Sequence, residues 1–382
     1  MPASPILLLV PYRNKAAVLY SQIPTSASAS GDMVVSRAGV STRVNAQGLI
    51  QSVAANVPRL NYPLGGVANG CPALLVEPTA TNLVPSGTVY TALASSLVSA
   101  VTDTPAIGVS GALCTKNTAS GSTTYISQSF SAVALSSGTI YSVSRFFKYN
   151  GVAFNTSLEA NTVGQWGNVS WKQVVVLSAA SGVTLGASTA CTGSVENFGN
   201  GWYRVNVRVT TGGTISGSAN VVVLSELPSA LSTGQGFLTA CPQLETGSIA
   251  TSYIPTTTGT VTRNADIVTN NTFVIPNLIG AILTEFDSPT SGTYFLDNIP
   301  IPIASGSNKI AISYTPTTLT IYRNGAQVSG SPVTPPGGTA PVIGNVINIG
   351  HNNQLYQLGS GIKSFVLYSS TLSAAEASGL TT

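Results

Sequence analysis

The chain has 382 residues, of which 43% are hydrophobic but only 7% charged, where a soluble domain averages roughly 25% charged. Its 15 basic and 12 acidic residues are scattered, so the net charge of +3 forms no basic stripe and nucleic-acid binding is not expected. The mean hydropathy of +0.31 comes without an early apolar run near the ~20 residues that span a bilayer, which argues against membrane insertion. Ser, Thr, Asn and Gln stand where Lys and Glu are usual, and such a surface suits strands better than exposed helices.

Residues 1–82 read as extended segments, with short apolar runs (Ile6 to Val10, Ala16 to Tyr20, Met33 to Val35) between Pro, Gly and Ser. Met1-Pro-Ala-Ser-Pro lacks the basic start and long apolar stretch of a secretory signal, so cytoplasmic synthesis is expected. From 83 to 258 strand follows strand. Thr139 to Phe147 and Trp202 to Thr210 alternate with period two, which places Tyr203, Val205, Val207 and Val209 on one face and Trp202, Arg204, Asn206 and Arg208 on the other. There an Arg stem is expected to cover Trp202. Asn220 to Ser225 is an unbroken apolar run, the mark of a central strand covered on both sides. Glycines punctuate these runs as turns do, which argues for a β-sandwich of jelly-roll type.

Tyr253 to Gly259 reads as a polar junction. Beyond it, 259–382 forms a second module, with strands at Ile279–Phe286, Lys309–Tyr314, Thr318–Arg323, Val346–Gly350 and Gly361–Tyr368. Asn324-Gly325 is a hairpin signal. Ser373 as N-cap, Glu376 as its capping-box partner and Gly379 as the stop predict one helical turn. The expected fold is therefore all-β: two β-sandwich (jelly-roll) modules behind an extended N-terminal segment.

Three stretches carry a resemblance. Ser41-Thr-Arg-Val-Asn-Ala-Gln-Gly-Leu-Ile50, Ala55-Asn-Val-Pro-Arg-Leu-Asn-Tyr62 and Cys71-Pro-Ala-Leu-Leu-Val-Glu-Pro-Thr-Ala-Thr-Asn82 resemble a leader of tailed-bacteriophage structural and fibre proteins. Gly199 to Val205, Gln243 to Pro255 and Thr262-Arg-Asn-Ala-Asp266 look like the carbohydrate-binding-type jelly roll that follows that leader, and Lys309 to Thr382 resembles the end of a laminin G or concanavalin A-like sandwich. Such leaders usually carry Arg in the Glu-Pro-x-x-Thr-Asn segment; here Ala80 precedes Thr81, so the junction below must be held differently. The resemblance implies a virion-surface protein, a tail fibre, head fibre or related appendage. Its 1–82 segment would dock on other capsid or tail proteins, its modules would adhere to host or environmental glycans, and a homo-oligomer, a trimer first, would form. A decoration or spacer protein without ligand is the alternative, and a polysaccharide depolymerase the third.

Catalytic chemistry has little to work with. The single histidine, His351, has no second His or Cys beside it, and no Gly-x-Ser-x-Gly elbow exists. The best carboxylate pair, Glu285 and Asp287, falls on one face of a strand, where a solvated role is the competing reading. No enzyme is expected. Cys71, Cys114, Cys191 and Cys241 form no metal spacing and read as free thiols, with a Cys114–Cys191 or Cys71–Cys241 bridge left open. No cofactor is expected either: calcium needs six to eight oxygens, and only Asp297 and Asn298 suggest a ligand turn. Glycan binding asks for an exposed aromatic plate with amide partners. Trp166 and Trp171 with Gln165 and Asn168 are the first candidates, against packing into the sandwich edge, and Tyr356 and Asn352 near the rim of the last module are the second.

Overall fold

A computed structural model of the chain describes residues 5–9, 13–15, 18–20, 34–64, 72–85, 91–93, 96–117, 122–131, 133–160, 165–213, 215, 220–270, 279–288, 292–296, 299–332, 347–349, 360–368 and 370–382. Strands account for 55% of the structure and helix for 3%, which makes the fold all-β, built as sandwiches of antiparallel sheets.

Two six-stranded sheets form the middle of the chain. The first runs, in spatial order, through Thr91–Leu93, Thr124–Ser131, Asn220–Leu227, Phe154–Ala160, Trp171–Ser178 and Gly182–Thr189. The second runs through Ser96–Val101, Gly111–Lys116, Gly236–Thr246, Ile140–Lys148, Trp202–Thr210 and Thr192–Gly199. Asn220–Leu227 is central, as its unbroken apolar run requires. Period-two alternation is clearest in Trp171–Ser178, where Trp171, Gln173, Val175 and Leu177 are buried and the residues between them half-buried. Val205, Val207 and Val209 meet Val175, Leu177 and Phe237 in the core between the sheets.

The other face of Trp202–Thr210 is also covered where it starts. Trp202 joins Phe146, Phe198, Leu238 and Tyr253 in a separate core completed by Val44 and Ile50. Those two belong to the hairpin Ser41–Val44/Ile50–Val53, which therefore packs on the outside of the second sheet. The cover over Trp202 is a cation from the neighbouring strand: Lys148 Nζ lies 5.7 Å from the ring centre, and the indole Nε1 donates to Asp103 at 2.9 Å. The expected Arg stem is corrected accordingly, because Lys148 is the register partner of Trp202.

The third sheet has the order Ala326–Gln327, Leu319–Arg323, Gly306–Tyr314, Gly280–Ser288, Ser360–Tyr368, Ala73–Val76 and Leu60–Asn61, with Pro5–Leu9 also paired to Ser360–Tyr368. Strands from the first 82 residues thus complete a sheet begun by the last module. Val34–Ser36 pairs with Ile267–Asn270, and Ala80–Asn82 with Val261–Arg263. Leu74 and Val76 enter the core beneath that sheet with Ile282, Phe286, Ile310 and Phe365. Each such side chain contributes about 1.5–3 kcal/mol on burial, far more than a frayed arm would gain. Tyr253 and Ile254 are 3% and 4% exposed, so the junction expected from Tyr253 to Gly259 starts packed and reaches solvent at Thr257 and Thr258.

Asn324 and Gly325 turn the hairpin with φ of 48° and 85°, the left-handed pair that a two-residue turn needs. The helix, Ala374–Thr381, has the expected Ser373/Glu376 capping box but runs through Gly379 to a C-cap at Thr382. Gly379 was the expected stop. Leu372 and Ala377 dock on Ala281, Ala311, Tyr322 and Val366, and that packing carries the helix past the glycine.

Candidate functional site

The tryptophans expected to form a glycan platform are in the core. Trp166 and Trp171 are 0% and 1% exposed, with ring centres 5.2 Å apart in an edge-to-face pair, and Tyr141 meets Trp166 at 6.4 Å. A stacking plate needs a bare ring face, so this expectation is corrected: both rings are packing residues. The cause is local. Gly167 and Asn168 have φ of 66° and 65°, a left-handed turn that sends both indoles inward. A Cβ on Gly167 would stand 2.6 Å from the Gly212 carbonyl oxygen, which is how closely the turn seats. Asn168 is exposed and Gln165 half-buried at its edge. Tyr356, Asn352, His351, Asp297, Asn298 and Cys71 lie outside the described residues.

Glu285 and Asp287 share a face and an ion-pair partner, Lys363, at 3.8 and 2.8 Å. Their side chains are 32% and 54% exposed, a solvated salt bridge on one strand rather than two acids facing across a cleft. Among the described residues no group of three or more His, Cys, Asp or Glu side chains could hold a metal ion. Cys114, Cys191 and Cys241 are free thiols, so no Cys114–Cys191 bridge forms. Burial pushes the Cys114 thiol up to about 12, which leaves it protonated and inert. No helix among the described residues is long and apolar enough to cross a membrane.

The motifs that carried the resemblance meet in one buried charge network. Arg59 donates to Glu77 Oε2 at 2.6 Å, to both oxygens of Asp266, to Ser252 Oγ at 2.9 Å and to the Thr42 carbonyl at 3.1 Å. Arg37 reaches Asp266 at 2.8 Å, and Arg263 reaches Glu77 at 2.9 Å and the Pro78 carbonyl at 2.6 Å. All three guanidinium side chains are 0% exposed. Glu77 also accepts from the Ser252 amide at 2.7 Å and from its hydroxyl at 2.6 Å. Burial alone would raise the Glu77 carboxyl, but Arg263 and Arg59 outweigh it and hold the group at about 2. Asn82 adds four bonds: it accepts from the Val84 and Leu244 amides and donates to the Pro242 and Ile254 carbonyls.

A second cluster lies on the outer face of the first sheet, where no sequence reading pointed. Lys172 Nζ bridges Glu159 at 3.0 Å and Glu226 at 2.5 Å. Tyr125, half-buried, is the register partner of Glu226, and Glu159 that of Lys172, so all four share a face. Burial opposes the charge on Lys172, yet the two carboxylates prevail and raise its pKa; burial and the same carboxylates raise that of Tyr125. The phenol therefore stays a hydrogen-bond donor beside a fixed ion triad. Only strand register joins these residues, and register was not readable from spacing.

No protein-family model matches the chain, and no curated protein matches it significantly.

Proposed function

We propose that this chain is a non-catalytic virion-surface protein of a tailed bacteriophage, a fibre or related appendage, displayed through its first 82 residues. The observation that carries the reading is the Arg37–Arg59–Glu77–Arg263–Asp266 network. It welds the leader, which would dock on other capsid or tail proteins, to residues 251–266 between the two modules. A surface appendage needs such a joint, since force at its tip must pass to the particle without a hinge. The expected oligomer is a homotrimer on the particle, made in the host cytoplasm. Mass spectrometry of purified particles tests this: the chain should be recovered with the capsid and tail proteins, and its absence would sink the reading.

Adhesion to surface glycans is favoured by a separate observation, the half-buried Tyr125 beside Glu159, Lys172 and Glu226. A tyrosine ring offers a face for sugar C–H groups, and the ion triad offers donors and acceptors for hydroxyls. On a glycan array the folded chain should bind and Tyr125→Ala should not. A blank array for both leaves the decoration or spacer role as the function.

A further inference from the structure

An asparagine followed by glycine can lose its side-chain amide without an enzyme, because glycine has no Cβ and its backbone nitrogen can reach the preceding side chain. The chain has four such pairs, at Asn69, Asn150, Asn200 and Asn324. Asn69-Gly70 lies outside the described residues. The fold holds the other three in different ways.

Asn324 is engaged at both ends of its amide. Its Oδ1 accepts from the Lys309 amide at 2.8 Å, and its Nδ2 donates to the Ser307 carbonyl at 3.2 Å. The attacking nitrogen is occupied as well, since the Gly325 amide donates to Thr381 Oγ1 at 3.0 Å. Asn200 and Gly201, with φ of 53° and 78°, turn the chain between the register partners Gly199 and Trp202, so strand pairing clamps their backbone. Asn150 and Gly151 are both exposed, and neither the Asn150 side chain nor the Gly151 amide has a hydrogen-bond partner among the described residues. Their loop runs from Lys148 in the second sheet to Phe154 in the first, and those two strands do not pair with each other. Tyr149 and Val152 pack on the core, which leaves Asn150 and Gly151 as the exposed tip. A Cβ on Gly151 would meet nothing within 4 Å, against Lys148 at 3.2 Å for Gly201 and Thr382 at 3.0 Å for Gly325.

We propose that Asn150 is a site of spontaneous deamidation in the folded chain. The Gly151 nitrogen attacks Asn150 Cγ, the new C–N bond closes a five-membered imide, and the amide nitrogen leaves as ammonia with the proton that the Gly151 nitrogen gives up. Water then opens one imide carbonyl, to aspartate or to isoaspartate. Either product puts a negative charge on the loop that joins the two sheets, close in sequence to Lys148, the cation over Trp202.

Incubation of the full chain in mildly alkaline buffer, followed by peptide mapping with tandem mass spectrometry, tests the assignment. Asn150 should convert about a hundredfold faster than Asn324, the scale of the three hydrogen bonds that must open there first, with Asn200 between them. In concentrated urea the three rates should converge, because the fold no longer separates them. In Asn150→Gln, where ring closure needs a sixth atom, the peptide that carries the substitution should keep its mass over the same time. Conversion of Asn200 or Asn324 ahead of Asn150, equal rates in the folded chain, a difference that persists in urea, or an Asn150→Gln peptide that still gains a carboxylate would each overturn the proposal. These outcomes leave the virion reading and the Tyr125 face untouched.

Discussion

Asp266 accepts from Arg37, from Arg59 and from the Glu77 amide and its side chain is 2% exposed, so its loss leaves the buried Arg37 without a carboxylate and the buried Arg59 with Glu77 alone. Breaking one partner of a buried ion network costs about 3–5 kcal/mol, whereas an exposed pair is worth at most about 1 kcal/mol. In guanidinium chloride unfolding, Asp266→Asn should therefore lose several times what Lys363→Ala loses; equal losses would show that the network is not the joint. Glu77 adds a pH signature. Its folded value is about 2 against an ordinary 4.5, so its contribution is full above 4.5 and is lost as pH falls toward 2. That is about 3 kcal/mol, and urea midpoints measured from pH 7 down to 2 should drop in this window for wild type. Glu77→Gln should be less stable at pH 7 and much flatter below 4.5; an unchanged acid limb would contradict the assignment. Arg59, Glu77, Arg263 and Asp266 were visible in the sequence as motif letters and Arg37 was not, and the meeting of the five was not visible at all. Positions 37, 59, 77, 263 and 266 are joined only by the fold.

At the scale of elements, alternation and turn chemistry were readable, and side-chain direction was readable only where a strand had a long apolar phase. Counting back by twos from Leu177 and Val175 places Trp171 inside, which is where it lies. Trp166 gave no such signal, because the Gly167–Asn168 turn that aims it inward depends on its seat against Gly212. The helix shows the converse. Its start was legible in Ser373 and Glu376, but its end was set by Ala377 docking on the third sheet rather than by Gly379. A Cβ at Gly379 meets nothing within 4 Å, and its φ is not in the left-handed range. Gly379→Ala should therefore stabilise the chain by about 0.5–1 kcal/mol, seen as a higher Tm in a calorimetric scan. A lower Tm would mean that the glycine does end the helix.

The whole molecule departs most from its sequence in how the first 82 residues are held. They read as an extended arm because their apolar runs are short and punctuated, and short strands complete sheets only when distant strands offer an edge. Here Ser360–Tyr368, Ile267–Asn270 and Val261–Arg263 offer those edges, while Val44 and Ile50 close a core over Trp202. Backbone bonds extend the tie: the Ile50 amide donates to the Pro105 carbonyl at 2.8 Å and the Asp266 amide to the Glu77 carbonyl at 3.0 Å. If leader and modules share one cooperative unit, they must open together. Hydrogen exchange read by mass spectrometry should then show peptides spanning 41–62 and 73–82 protected to the same degree as Gly236–Thr246 in the second sheet. Asp266→Asn should speed exchange in the leader and at 251–266 before it does so in the core between the sheets, because the network joins the first two and not the third. Fast exchange of the leader in the wild-type chain would mean an arm that merely rests on the sandwiches, and such an arm could not pass force from a displayed module to a particle.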